Sequence, residues 1–222
     1  MKHTTYFNLL DALGGGCPIC RLVKEANQKF MSAFLYESVN DPFLRGRIRE
    51  SMGFCNRHAW QLHRMGDPLG QSIVYQDLLR SALGMLDKVG GLSESLKTLA
   101  RCASTRKTRE GDCLMCMHEE ETDERYASAF VRHFAEPDLN RHYRDSFGLC
   151  LQHLAKVIRK CGNEPIAKEI IEIESTKVAH LLGEVEEFMR KQDYRFSDEQ
   201  PGKEQDAWIR AIEKIVGKEG AF

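Results

Sequence analysis

Apolar positions recur at three- and four-residue steps through segment after segment of this chain, and few stretches alternate in the manner of strands. The pattern predicts an all-α protein. Leu22, Ala26, Phe30, Ala33 and Phe34 share one helical face, so a first helix is expected over about 18–36, with Pro18 tolerated in its first turn. Asn40-Asp41-Pro42 interrupts the chain and caps a short helix running to about 51, and Gly53 suits its C-terminal stop. A third helix is expected from about 55 and ends before Gly66-Asp67-Pro68. A fourth follows, carrying Ile73, Leu78, Leu79, Ala82, Leu83 and Leu86, and closes at Gly90-Gly91. After a polar, basic linker at about 105–110, the order returns, with helices over about 113–133, after 137, from 149 and over 165–191. An acidic loop at 197–205, broken by Pro201-Gly202, leads to a last amphipathic helix at 206–216, whose Trp208, Ile212 and Ile215 are expected to dock on the bundle.

That recurrence is also visible residue by residue. Gly16-Cys17-Pro18-Ile19-Cys20 aligns with Asp112-Cys113-Leu114-Met115-Cys116, and at the same offset of 96 Glu25 meets Glu121, Ala33 meets Ala129 and Phe34 meets Phe130. One residue is then lost. At an offset of 95, Pro42 meets Pro137, Arg49 meets Arg144, Ser51 meets Ser146, Gly53 meets Gly148, Cys55 meets Cys150 and His58 meets His153. Ordered matches with a single gap imply duplication. The expected architecture is two tandem four-helix repeats, 1–95 and 96–192, each with a metal site at one end, followed by a loop and C-terminal helix at 193–222. Cys102 and Cys161 have no cysteine mates and read as small hydrophobes with free thiols.

Composition narrows the setting. The 222 residues are 42% hydrophobic and 29% charged, enough apolar material for a packed core, and the formal net charge of -1 gives no overall attraction to nucleic acid. No apolar run approaches the ~18 residues of a membrane span, and the first residues lack the features of a signal peptide, so a cytoplasmic protein with no membrane association is expected. In that compartment eight cysteines point to metal or redox chemistry before disulfides.

The repeated motif supplies the metal chemistry. Two cysteines separated by two residues turn both sulfurs toward one point, and a Cys and His three apart at a helix start share a face. Helix N-termini favour thiolates, the metal-binding form. If neighbouring helices run antiparallel, the first and third helix starts of each repeat meet at one end. The expected sites are therefore Cys17, Cys20, Cys55 and His58, and Cys113, Cys116, Cys150 and His153. The intervals between pairs are 34 and 33 residues. Three sulfurs and one imidazole make a closed tetrahedral set suited to structural Zn2+, two ions per chain, with iron–sulfur clusters as the alternative cofactor. His63, His118, His133, His142 and His180 have no histidine mates in the repeat and are not expected as ligands; His118, two residues past Cys116, stands nearest the motif.

Cys17-Pro18-Ile19-Cys20-Arg21-Leu22, Val39-Asn40-Asp41-Pro42 and Gly53-Phe54-Cys55-Asn56-Arg57-His58 resemble a family of uncharacterised bacterial and archaeal proteins, catalogued as a domain of unknown function, with Cys-Pro-x-Cys and Gly-Phe-Cys-x-x-His motifs. The resemblance covers most of the chain. In the second half Leu114 replaces the proline and Leu149 the phenylalanine, and neither change touches a ligand. The family implies the fold and the metal, and no reaction.

Function is thus expected to be that of a zinc-binding, non-enzymatic binding or interaction module with a protein or small-molecule partner. The alternatives are an iron–sulfur redox or electron-transfer protein and an enzyme with a site between the repeats. Candidates for the enzyme are the repeat-matched Glu25 and Glu121, Arg49 and Arg144, and Asp77 and Glu172, although Arg49 and Arg144 could simply pair with Glu25 and Glu121 or cap helices. Arg101, Arg106, Lys107 and Arg109 form the one local basic cluster, short and without aromatics, so nucleic acid is not the expected partner. The oligomeric state is not encoded in these patterns.

Overall fold

A computed structural model describes residues 4–87, 113–196 and 198–220. Among these residues the secondary structure is entirely helical: α1 Thr4–Ala12, α2 Pro18–Ala33, α3 Pro42–Glu50, α4 Asn56–His63, α5 Pro68–Asp87, α6 Leu114–His133, α7 Pro137–Asp145, α8 Leu151–Lys160, α9 Glu164–Lys191 and α10 Ala207–Val216. A π-helical turn, Phe34–Ser38, extends α2, and short 3₁₀ turns stand at Tyr194–Phe196 and Lys203–Asp206. Asp41 caps α3 by accepting from Leu44 N at 2.8 Å, and Asn163 caps α9 by accepting from Ile166 N at 3.1 Å. The expected linker at 105–110, Gly90-Gly91, Cys102 and the basic cluster lie outside the described residues.

The chain divides into two compact units, Met1–Glu25 with Thr122–Phe222, and Ala26–Glu121. These divisions fall inside α2 and α6. Each of the two long helices therefore starts in one unit and ends in the other.

The first unit packs Tyr6 and Leu9 of α1, Ile19 and Val23 of α2, Phe130, Tyr143, Val157 and Ile170 into one core. Phe130 and Tyr143 meet edge to face at 5.0 Å. Helix α1 has no place in the repeat and was not expected. Its apolar positions, Tyr6, Leu9 and Leu13, nonetheless follow helical steps and are buried.

Helix α10 docks the other way round from expectation. Trp208, Ile212 and Ile215 are 51%, 54% and 55% exposed, and the inward positions are Ala207 and Lys214. The reason is the surface that receives the helix: α9 presents Glu174 and Glu184, which pair with Lys214 Nζ at 2.5 Å and Arg210 Nη1 at 2.6 Å. Amphipathicity fixes that the segment is helical; the charge of the receiving face decides which side turns inward.

The second unit buries Met31, Phe34, Ile48, Leu62, Val74, Leu78 and Met115. Phe34 and Phe54 meet edge to face at 5.8 Å. Leu79 and Leu83 of α5 are exposed.

Candidate metal centres

The four sulfur and imidazole donors expected in each repeat do not come together; the pairs are crossed. Cys17 and Cys20 at the start of α2 meet Cys150 and His153 at the start of α8, all in the first unit. Cys113 and Cys116 at the start of α6 meet Cys55 and His58 at the start of α4, all in the second. The expected sets, Cys17 with Cys55 and Cys113 with Cys150, are thereby corrected. The same eight residues make up the two groups, but spacing cannot distinguish two identical half-sites. The antiparallel up-and-down assumption joined the wrong ones because α2 and α6 each begin in one unit and continue into the other.

Local structure aims the donors. Gly53 and Gly148 adopt left-handed backbone (φ 99° and 85°) two residues before Cys55 and Cys150. Those cysteines are then the N-cap residues of α4 and α8, with extended backbone. At Gly148 a Cβ would run into the Glu174 carboxylate, so only glycine fits the turn.

In the first centre His153 Nδ1 lies 3.3 Å from Cys17 Sγ and 3.2 Å from both Cys20 Sγ and Cys150 Sγ, and the Cys20 and Cys150 sulfurs are 3.7 Å apart. In the second, His58 Nδ1 lies 3.3 Å from Cys55 Sγ, 3.6 Å from Cys113 Sγ and 3.4 Å from Cys116 Sγ, with Cys55 and Cys116 3.7 Å apart. Bonds of ~2.3 Å to sulfur and ~2.0–2.1 Å to nitrogen at tetrahedral angles would hold sulfurs about 3.8 Å from each other and about 3.6 Å from the nitrogen. The observed spacings fit one ion per centre. Hydrogen bonding alone does not account for them, since one Nδ1 carries at most one proton and cannot serve three sulfurs. The described cysteines are all free thiols.

The second ring nitrogen of each histidine faces a carboxylate. His153 Nε2 is 3.0 Å from Asp123 Oδ1, and Asp123 is held in turn by Lys156 Nζ at 2.5 Å. His58 Nε2 is 3.5 Å from Glu119 Oε2, which also pairs with Arg57; buried Asn27 donates to the other Glu119 oxygen at 3.0 Å. Such carboxylates fix the tautomer and strengthen the ligand. They are the functional residues that sequence reasoning missed. One signal was present: Asp123 is the repeat-mate of Asn27 at the offset of 96. Replacing Asp123 with Asn should weaken metal retention at the first centre by roughly 10–100-fold and leave the second unchanged. Competition of the D123N variant against a chromophoric chelator checks this; equal loss from both centres would count against it.

Burial and mutual hydrogen bonding shift the protonation of the grouped thiols and imidazoles in opposite directions. Burial pushes the Cys17 thiol up, and hydrogen bonds from Cys17 and Cys20 pull Cys150 down. Burial works to lower His153, but Asp123 and the sulfurs of Cys150 and Cys20 outweigh it and hold the imidazole at about 11. In the second centre the hydrogen bond with Cys113 takes Cys55 to about 3, and burial, with the Cys55 charge, lifts Cys116 to about 11.

The other sequence candidates are accounted for structurally. His118 stacks on Phe30 at 4.4 Å, His133 lies 2.9 Å from Glu136, and His63, His142 and His180 also stand outside both centres. Arg49 pairs with Asp77 at 3.2 Å alongside Arg45 at 2.5 Å, tying α3 to α5. Arg144 pairs with Glu169, tying α7 to α9, and Glu25 pairs with Arg21 at 2.9 Å. The arginines thus bind carboxylates on α5 and α9, not Glu25 and Glu121. Cys161 is half-buried, its Sγ 3.4 Å from Asn163 O.

Comparison with known proteins matches nearly the whole chain. The chain is 32% identical over 203 residues to an uncharacterized 23.9 kDa protein in the xynA 3' region of Caldicellulosiruptor sp. (strain Rt8B.4), an alignment covering 90% of this chain and 95% of that one. No solved structure matches. A family model matches residues 4–221, a span that contains both Cys/His groups, and the chain belongs to that family, the family of unknown function DUF6062.

Proposed function

We propose that the chain is a zinc protein with two structural Cys3His ions, one in each compact unit, serving as a non-enzymatic binding or interaction module for a protein or small-molecule partner. The observation that carries this reading is the convergence of the eight residues into two compact sets of three cysteines and one histidine. Each set fills four ligand positions from protein, which is the closed, structural form. In each centre all donor atoms lie within 4.8 Å of one another, which suits a single ion. A cluster with ligands on separate irons spreads its donors more widely, so the spacing favours zinc over an iron–sulfur centre. A duplication explains the repeated motifs, with the two copies having exchanged their Cys-x-x-Cys helices. Free thiolate ligands suit a reducing compartment such as the cytoplasm. No helix among the described residues is long and apolar enough to cross a membrane. The outward apolar row of α10 supports a binding role over a catalytic one, since such rows are uncommon on surfaces without partners.

Metal analysis tests the proposal. The purified protein should be colourless and hold two zinc ions per chain, and complete removal by a chelator should lower its thermal stability sharply. Metal binding displaces the thiol protons and the His153 proton, so affinity falls as pH falls. Because His153 is held at about 11, its proton is still present at neutrality, and affinity should keep rising with pH through and above 7. Unchanged stability after removal of both ions would overturn the structural role, and a brown protein containing iron and sulfide would overturn the choice of metal.

A further inference from the structure

The two centres are not equivalent. In the first, Cys17, Cys20, Cys150 and His153 are all buried, and the second histidine nitrogen is anchored at 3.0 Å to a carboxylate that a lysine holds in place. In the second, Cys116 is partly exposed, Met117 beside it is 38% exposed, and the His58 to Glu119 distance opens to 3.5 Å. Arg57 stands next to His58 with its Nη1 buried and unpaired; its repeat-mate at the first centre is the uncharged Gln152. Only the second centre combines a partly exposed cysteine, a nearby guanidinium and a loosely anchored histidine.

We infer that Cys116 is an oxidation site at which a peroxide releases the metal of the second centre while the first centre keeps its own. The inference rests on the proposed zinc occupancy and adds to it a division of labour between the sites. The chemistry balances with hydrogen peroxide as the two-electron oxidant. The Cys116 thiolate attacks one peroxide oxygen; an S–O bond forms, the O–O bond breaks and hydroxide leaves, giving a sulfenic acid. The Cys55 thiolate, 3.7 Å away, then attacks that sulfur; an S–S bond forms and a second hydroxide leaves. Two protons from the buffer turn the hydroxides into two waters, and the two electrons given up by the thiolates end on the peroxide oxygens. The ion retains only Cys113 and His58 and dissociates. In the first centre the same step is blocked before it starts, because no sulfur can be reached by the peroxide.

The experiment begins by counting zinc in the untreated protein. Two ions per chain uphold the zinc reading whatever follows, and fewer than two refute it separately. Hydrogen peroxide is then added and zinc release is followed with a chromophoric chelator. One equivalent should leave at least tenfold faster than the other. Alkylation and peptide mass spectrometry after the fast phase should find a Cys55–Cys116 disulfide, with Cys17, Cys20 and Cys150 still reduced. Cys116→His, which keeps four ligands, should abolish the fast phase. Release of both ions at one rate, earlier oxidation of Cys17, Cys20 or Cys150, or a fast phase that survives in the metal-loaded C116H variant would each overturn the inference.

Discussion

Cys17→Ala combined with Cys150→Ala should leave one metal ion per chain, and Cys17→Ala combined with Cys55→Ala should leave none once a modest chelator competes. Double variants decide the matter because one lost ligand still leaves three and an opening for water, whereas two lost ligands leave too little to hold zinc. Cys17 and Cys150 belong to the same centre, so their joint removal spares the other. Cys17 and Cys55 belong to different centres; that pair weakens both, and each is then stripped by a modest chelator. Pairing within the repeats would give the opposite counts under the same chelator. The crossed arrangement also has a thermodynamic consequence. Cys20 and Cys150 are 130 residues apart in sequence, against 35 for Cys20 and Cys55. Cross-linking a longer loop restricts the unfolded chain more, by about 0.6 kcal/mol per doubling, so the crossed centre gains about 1 kcal/mol over the uncrossed one. Losing the second centre should raise amide exchange within Ala26–Glu121, including the first turns of α6, and leave the core around Phe130 and Tyr143 protected. Metal analysis of the double variants is the check, and equal counts in the two would refute the crossed pairing.

What could be read from the sequence follows from which interactions are local. Helix positions depend on periodicity and on caps within a few residues, so Asp41 and the prolines at 42 and 137 mark observed starts directly. The donors were legible because a Cys-x-x-Cys or a Cys-x-x-His at a helix start is complete within four residues. Their partnership was not legible: it depends on where α2 and α6 go after the motif, and an exact repeat offers two self-consistent pairings. The carboxylates behind the histidines were hidden for a related reason. Asp123 sits ten residues beyond Cys113 on α6, yet it serves the centre built from Cys17 and Cys150. The inverted docking of α10 was hidden because its apolar face is the stronger periodic signal, while the decisive residues, Glu174 and Glu184, lie far away on α9.

That buried pair should produce the largest loss of stability from any single change outside the metal ligands. Glu174 and Lys214 are both about 2% exposed and 2.5 Å apart. Each is fully used: Glu174 Oε1 accepts from the Tyr143 hydroxyl and from Leu149 N at 2.7 Å, and Lys214 Nζ also donates to Phe147 O at 3.1 Å. The cluster fastens α10 to α9 and holds the 147–149 backbone that delivers Cys150 to its centre. Lys214→Met removes one charge and leaves the Glu174 carboxylate buried without its counter-charge, which costs about 3–5 kcal/mol. For a unit of this size that corresponds to a fall in Tm of roughly 10 °C or more. Combining it with Glu174→Gln removes the stranded charge while keeping an acceptor for Leu149 N, and should restore part of the loss. An independent replacement at the exposed Trp208 should stay within about 0.5 kcal/mol. Because Leu149 N is held by Glu174, Lys214→Met should also speed zinc loss from the Cys17, Cys20, Cys150 and His153 centre and leave the other at its wild-type rate. Calorimetry together with chelator kinetics on the single and double variants measures both effects. A Lys214→Met protein with unchanged Tm, or with faster metal loss from both centres alike, would mean that the pair does not support the loop leading into Cys150.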